Sequence, residues 1–185
     1  MARPGRVSQG VLTHRERSVR GTGAGAWLRH PSAMPRRVAA LVLVVLLAFP
    51  GAVIAATEEG TPGPDNLSGT AGADTIYGRA GGDTIRGRAG NDHLNGGVGN
   101  DTISGDAGND VIIGGRGDDT LLGGAGKDRI SGGPGADVIA AGLGNDVVRV
   151  RDGAVDQVTC GPGRDRVVAD PQDSVARDCE VVQRG

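Results

Sequence analysis

The sequence predicts an all-β repeat array, and three observations point to it. A nine-residue unit recurs ten times from Gly60 to Arg149. Each unit ends in three residues with an aliphatic one in the middle, which is the alternation of a minimal strand. Gly supplies 35 of the 185 residues, while Trp, Tyr and Phe supply one each. Aromatic rings provide the largest buried areas, so a chain this poor in them hardly builds a thick globular core. Without a period, so much Gly would read as a linker or a disordered tract. With one, it reads as stacked units.

Three positions of the unit do not vary in kind. The fourth is Gly in all ten units, from Gly63 to Gly144. The sixth is Asp: Asp65, Asp74, Asp83, Asp92, Asp101, Asp110, Asp119, Asp128, Asp137 and Asp146. The eighth is aliphatic: Leu67, Ile76, Ile85, Leu94, Ile103, Ile112, Leu121, Ile130, Ile139 and Val148. Glycines let the first four residues turn sharply and aim carbonyls inward. The Asp adds a short anionic oxygen donor. Carboxylate and carbonyl oxygens together suit a hard cation, and flexible loops favour Ca²⁺ over the stricter octahedron of Mg²⁺.

The pattern Gly-Gly-x-Gly-x-Asp-x-aliphatic-x resembles the hemolysin-type calcium-binding repeats of the RTX family. The resemblance covers 90 of the 185 residues. It implies a parallel β-roll of about five two-strand turns, with odd units in one sheet and even units in the other. It also implies several Ca²⁺ ions held between loops one full turn apart. Asp65 would then face Asp83, Asp74 would face Asp92, and so on to Asp128 with Asp146, which makes eight pairs at most. Carbonyls around the second and fourth positions would complete each site.

Several units depart from the pattern. Thr61, Thr70, Arg79, Arg88 and Asp106 replace the second Gly, and Ala141 replaces the first Gly of the last unit. Left-handed backbone angles are costlier for such residues, so the first four loops are the expected weak point. A plainer reading is that Asp and Gly only make turns. Invariant Asp argues against it, because Asn serves a turn equally well. Carboxylates stacked about 4.8 Å apart would also repel without cations. One aliphatic side chain per nine residues is too little apolar burial to offset the entropy of ordering them, so folding should depend on the metal.

The N-terminal part has a different composition. Residues 1–56 carry eight Arg and one acid, Glu16, whereas the whole chain has a formal charge of −2. The acidic remainder repels phosphates, which excludes nucleic acid as a partner and suits cations. Val38 to Phe49 is an apolar run preceded by Arg36 and Arg37 and followed by Pro50, Gly51 and the small residues Ala52, Ala55 and Ala56. This is the layout of a secretory signal over residues 34–56, cut after Ala55 or Ala56. The alternative is a membrane anchor, which needs about 20 apolar residues. Residues 1–33 form an unusually long polar leader, and translation from Met34 would leave an ordinary signal. The Arg pair matches twin-arginine export only weakly.

After residues 57–149 the period slips. Asp156, Asp165 and Asp173 are each followed two places later by Val, and residues 150–185 read as degenerate repeats that cap the array. Asp165 sits in a nearly complete unit and is a further candidate ligand. Cys160 and Cys179 are the only cysteines, and an even count in an exported chain reads as a disulfide. A metal or redox pair is the alternative, without partner residues nearby.

Function follows from these parts. His93 is the only histidine after the signal, and no zinc or Ser/His/Asp motif is present, so no catalytic residue is assigned and an enzyme is not expected. The expected protein is a secreted calcium-binding array with no stable membrane insertion after signal cleavage. The alternative is a calcium-stiffened adhesive, surface-structural or ice-binding module with a cell-surface or matrix partner. Its ice-binding form would use the Thr84, Thr102 and Thr120 row.

Overall fold

A computed structural model describes residues 55–185. The expected leader (1–33) and nearly all of the expected signal peptide (34–56) lie outside the described residues. The first five strands are β1 (Thr57–Glu59), β2 (Asn66–Ser68), β3 (Thr75–Ala80), β4 (Thr84–Arg86) and β5 (His93–Val98). The next five are β6 (Thr102–Ala107), β7 (Val111–Arg116), β8 (Thr120–Ala125), β9 (Arg129–Ser131) and β10 (Val138–Leu143). The last are β11 (Val147–Arg149), β12 (Gln157–Thr159), β13 (Arg166–Ala169), β14 (Ser174–Val175) and β15 (Val181–Arg184). Odd-numbered strands build an eight-stranded sheet and even-numbered strands a seven-stranded one, each in chain order and parallel throughout.

The result is a parallel β-solenoid in which each coil lays one strand on each sheet. Pairing is in register: Ile85 sits beside Ile103 and Leu121 beside Ile139. In the other sheet Ile76 sits beside Leu94 and Ile112 beside Ile130. The central residue of each three-residue strand therefore points inward, and these side chains are at most 1% exposed from Leu67 to Val167. A slip of one residue would turn every one of them to solvent.

The expected five turns are an undercount, since the coils number about seven. Strand β1 precedes the first unit, and β12 to β15 continue both sheets through the irregular C-terminal stretch. Strand register survives there because the loops absorb the uneven spacing. Ile139 still pairs with Val158, and Val148 with Val167. Cys160 and Cys179 are joined by a disulfide, with Cα atoms 5.2 Å apart. At the opposite end Glu58 takes the inward place that an aliphatic residue holds elsewhere. It is 8% exposed, accepts a hydrogen bond from the Ser68 N–H at 3.1 Å, and burial raises its carboxyl above the usual range. An inward charge on an edge strand disfavours end-to-end strand pairing.

Candidate metal centre

The loops between strands run along two edges of the solenoid, and each edge carries a column of carboxylates. Within a column, every backbone N–H of the sixth position donates to the carboxylate one coil later. On one edge Asp65 donates to Asp83 Oδ1 at 2.9 Å, Asp83 to Asp101 at 2.7 Å and Asp101 to Asp119 at 2.8 Å. On the other edge Asp74 donates to Asp92 at 2.8 Å, Asp92 to Asp110 at 2.8 Å and Asp110 to Asp128 at 2.8 Å. The columns close through Asp119 to Asp137 and Asp128 to Asp146. The pairs expected from the repeat are thus brought together, each across one coil.

The columns extend past the ten units. Asp137 donates to Asp156 and Asp156 to Asp173, while Asp146 donates to Asp165 and Asp165 to Glu180 Oε2. Asp156, Asp173 and Glu180 were not among the expected ligands. The Asp-x-Val pairs at Asp156 and Asp173 carried the signal, but Glu180 has no such mark. The coil offsets here are 19, 17, 19 and 15 residues, against 18 in the array. Period counting loses the column where the loops change length.

Each of these carboxylates uses one oxygen in the column, which leaves the second to be accounted for. Oδ2 of Asp83, Asp92, Asp101, Asp110, Asp119, Asp128, Asp137, Asp146, Asp156 and Asp165 is buried and has no hydrogen-bond partner. A buried acceptor left unmatched is costly, more so when charged. Burial is the main reason the carboxyls from Asp83 to Asp156 in these columns hold protons more tightly than usual. It pushes Asp110 up to about 7, and Asp119, Asp128, Asp137 and Asp156 to about 6. The backbone N–H bond opposes the rise, and neighbouring carboxylates add to it. Such a column is uncomfortable as bare anions.

The first-position glycines of the array let the backbone approach these orphaned oxygens closely. A Cβ added to Gly105 would collide with Asp110 Oδ2 and lie 2.6 Å from the Gly123 carbonyl oxygen one coil on. At Gly114 it would collide with Asp119 Oδ2 and lie 2.6 Å from the Gly132 carbonyl. A carboxylate oxygen and a carbonyl oxygen of the next coil therefore lie close together, packed against a Cα that has no room for a side chain. Glycines at the second and fourth positions mostly adopt left-handed angles, as at Gly97 (φ 110°) and Gly108 (φ 146°). Among the described residues no three His, Cys, Asp or Glu side chains meet at one point. The donor set is thus paired carboxylates plus carbonyls, all oxygen, which fits Ca²⁺.

The irregular second positions divide into two kinds. Arg79, Arg88 and Asp106 adopt the same left-handed angles as the glycines they replace, at φ 78°, 78° and 69°. The third and fourth loops therefore keep the left-handed backbone of the array. Thr61 and Thr70 do not adopt that angle. Their backbone N–H groups and hydroxyls bond instead to the second oxygens of Asp65 and Asp74.

His93 begins β5 directly after Asp92 and lies beside Tyr77, with ring centres 6.1 Å apart. A comparison with curated proteins gives no match. The family model of the RTX calcium-binding nonapeptide repeat matches in four copies, at residues 59–94, 78–112, 86–121 and 113–148. Its span takes in eight of the ten orphaned carboxylates, Asp83 to Asp146, and residues 59–148 are RTX calcium-binding nonapeptide repeats.

Proposed function

We propose that the chain is a secreted calcium-binding repeat protein whose array folds when Ca²⁺ binds between successive coils. The observation that carries this reading is the set of buried Oδ2 atoms without a hydrogen-bond partner, with backbone carbonyl oxygens of the next coil close by along most of the array. A divalent cation there satisfies the orphaned oxygens and cancels the repulsion along each column. Binding to the folded form alone then stabilises it by mass action. Asp65, Asp74 and the eight further aspartates through Asp146 are the ligands of this reading, with Asp165 as an outlying candidate. The role is one of binding, with no catalytic step.

Circular dichroism with EDTA followed by CaCl₂ tests it. The expected outcome is weak β signal without calcium and recovery at millimolar calcium. A β spectrum unchanged by EDTA refutes folding on binding. Secretion is tested separately, by finding the chain outside the cell with an N-terminus at Ala56 or Thr57.

A second reading, an ice-binding or adhesive surface, rests on Thr84, Thr102 and Thr120, which are exposed and in register on β4, β6 and β8. Asn66 and Val138 bound the row at three rungs. Thr is also an ordinary exposed strand residue. Thermal hysteresis in the calcium-loaded protein distinguishes the two.

A further inference from the structure

The two edges of the solenoid bear the same carboxylate column but differ in the residues that flank it. The fifth and seventh positions of a unit lie on either side of its Asp and turn outward, since alternate side chains of an extended segment face opposite ways. On one edge the units of Asp101, Asp119 and Asp137 place Asn100, Asp118 and Ala136 at the fifth position and Thr102, Thr120 and Val138 at the seventh. None of these is a cation. On the other edge the units of Asp128, Asp146 and Asp165 hold Lys127 and Arg129, then Asn145 and Val147, then Arg164 and Arg166. The coils form without cations on the first edge, so the fold does not demand them on the second.

Strand register gathers these cations. Val147 on β11 pairs with Arg129 on β9 on one side and with Arg166 on β13 on the other. Neighbouring strands lie about 4.8 Å apart, which sets the two Arg backbones about 10 Å apart. An amide ladder fixes the fifth positions: the Lys127 N–H donates to Asn109 Oδ1 at 2.8 Å and the Arg164 N–H to Asn145 Oδ1 at 2.9 Å. Arg149, at the far end of β11, adds another exposed cation to the same face. Lys127, Arg129, Arg149, Arg164 and Arg166 are all exposed, and among the described residues none of them is in an ion pair. The carboxylates beside them in sequence, Asp128, Asp146 and Asp165, are each 1% exposed and face the column.

A groove of about 280 Å³ crosses these coils, lined by Asn109, Lys127, Asp128, Arg129, Asn145 and Val147. Its one acid, Asp128, gives its Oδ1 to the Asp110 N–H at 2.8 Å. Two cations and two amides remain. A guanidinium is a planar fork that matches the oxygens of sulfate or carboxylate, and a side-chain amide both donates to and accepts from hydroxyls.

We propose that this face binds an acidic polysaccharide, a single glycan chain carrying sulfate or carboxylate groups. The proposal goes beyond calcium binding and needs only the strand register. Duplex DNA fits the patch poorly. It is stiff over about 150 base pairs, so it would run far past a patch roughly 10 Å long and over acidic surface that repels it. A flexible glycan needs to touch the patch alone. A bilayer fits poorly too, because the exposed Leu122 and Val138, which suit lipid, lie on β8 and β10 of the opposite sheet.

Calorimetric titration of the full chain with dextran sulfate, using uncharged dextran as the control, tests the proposal. Dextran sulfate should bind, with an affinity that falls about tenfold or more between roughly 50 and 200 mM NaCl as counterions compete. Dextran should not bind. R129Q combined with R164Q and R166Q should weaken binding about tenfold or more. R86Q, which removes a cation from the opposite sheet, should change it by less than about twofold. In the wild type, bound dextran sulfate should also shield Arg129, Arg164 and Arg166 from phenylglyoxal, read by peptide mass spectrometry, so the site is mapped even if the triple variant does not fold. No binding of dextran sulfate, equal binding of dextran, an unweakened folded triple variant, or shielding of Arg86 in place of these three overturns the proposal. Tighter binding to a DNA duplex or to phosphatidylserine vesicles overturns the choice of a polysaccharide. The calcium reading has a separate readout, the change in dichroism on adding EDTA, so the failure of one is distinct from the failure of the other.

Discussion

The array of residues 60–140 and the coils from Ala141 onward share one strand ladder but fill their interiors differently. In the array each nine-residue unit buries one aliphatic side chain, and the loop interior holds carboxylates facing glycine. In the C-terminal coils a second apolar side chain joins the first. Val148 is followed inward by Val150, Val158 by Cys160 and Val167 by Ala169. The disulfide then ties Cys160 to the last coil at Cys179. Both regions bury carboxylates with an unpartnered oxygen, but only the C-terminal coils add a second apolar side chain to the packing of each coil. The lesson is that a solenoid can change what stabilises it without changing its backbone.

The comparison is broken most directly by removing calcium. In EDTA, amide hydrogens of residues 60–140 should exchange within seconds, as in an unfolded chain. Those of β12 and β13 should stay protected by at least tenfold, because their side-chain core and cross-link need no ion. Hydrogen exchange with mass spectrometry, with and without calcium, reads both regions in one experiment. Uniform loss of protection from residue 60 to 185 would show that the C-terminal core does not stand alone.

A smaller effect should follow from cutting the cross-link. The cysteines are 19 residues apart in sequence, and releasing a loop of that size costs about 3 kcal/mol. C160A together with C179A should lower the urea midpoint of the C-terminal coils in EDTA and leave the calcium-bound array nearly unchanged. Following a probe in each region during the titration separates the two. If both regions weaken equally, the array leans on the C-terminal coils even when calcium is bound.

Most of this architecture is legible from residue identity, because one structural unit recurs with invariant Gly, Asp and aliphatic positions. The pairing of Asp65 with Asp83 follows once two units make a coil. Legibility fails where a role passes to a different residue. Glu180 continues the column of Asp165 with no repeat around it, since its longer side chain reaches across a shortened loop. Arg79 and Arg88 look like misfits beside glycine, yet their neighbours hold them at left-handed angles. Thr61 and Thr70 look like the same substitution and do something else, bonding the aspartate of their own loop. The first position is subtler still. Ala141 reads as a conservative change from Gly, and only its place in a sealed interior shows that one methyl matters.

The smallest expected effect concerns acid, and its sign separates protonation from metal binding. Without calcium, burial raises the carboxyl of Asp110 to about 7 and those of Asp119 and Asp128 to about 6, whereas an unfolded Asp titrates near 3.8. A raised value in the fold means the folded state binds the proton more tightly. The contribution to stability is therefore complete below about pH 4 and lost as pH rises through 6 to 7. In EDTA the array should regain part of its β signal as pH falls from 7.5 to 5, with a midpoint near 6. With calcium present the same protons compete for the ligand oxygens, so calcium affinity should fall over that range. Circular dichroism in EDTA and a calcium titration at each pH read the two arms. Asp156 titrates in the C-terminal coils at about 6, but packing there does not depend on it, so acid should change hydrogen exchange in the array far more than in β12 and β13. If acid instead unfolds the calcium-free array further, the buried carboxylates are not the groups that limit its folding, and the contrast between the two regions must rest on packing alone.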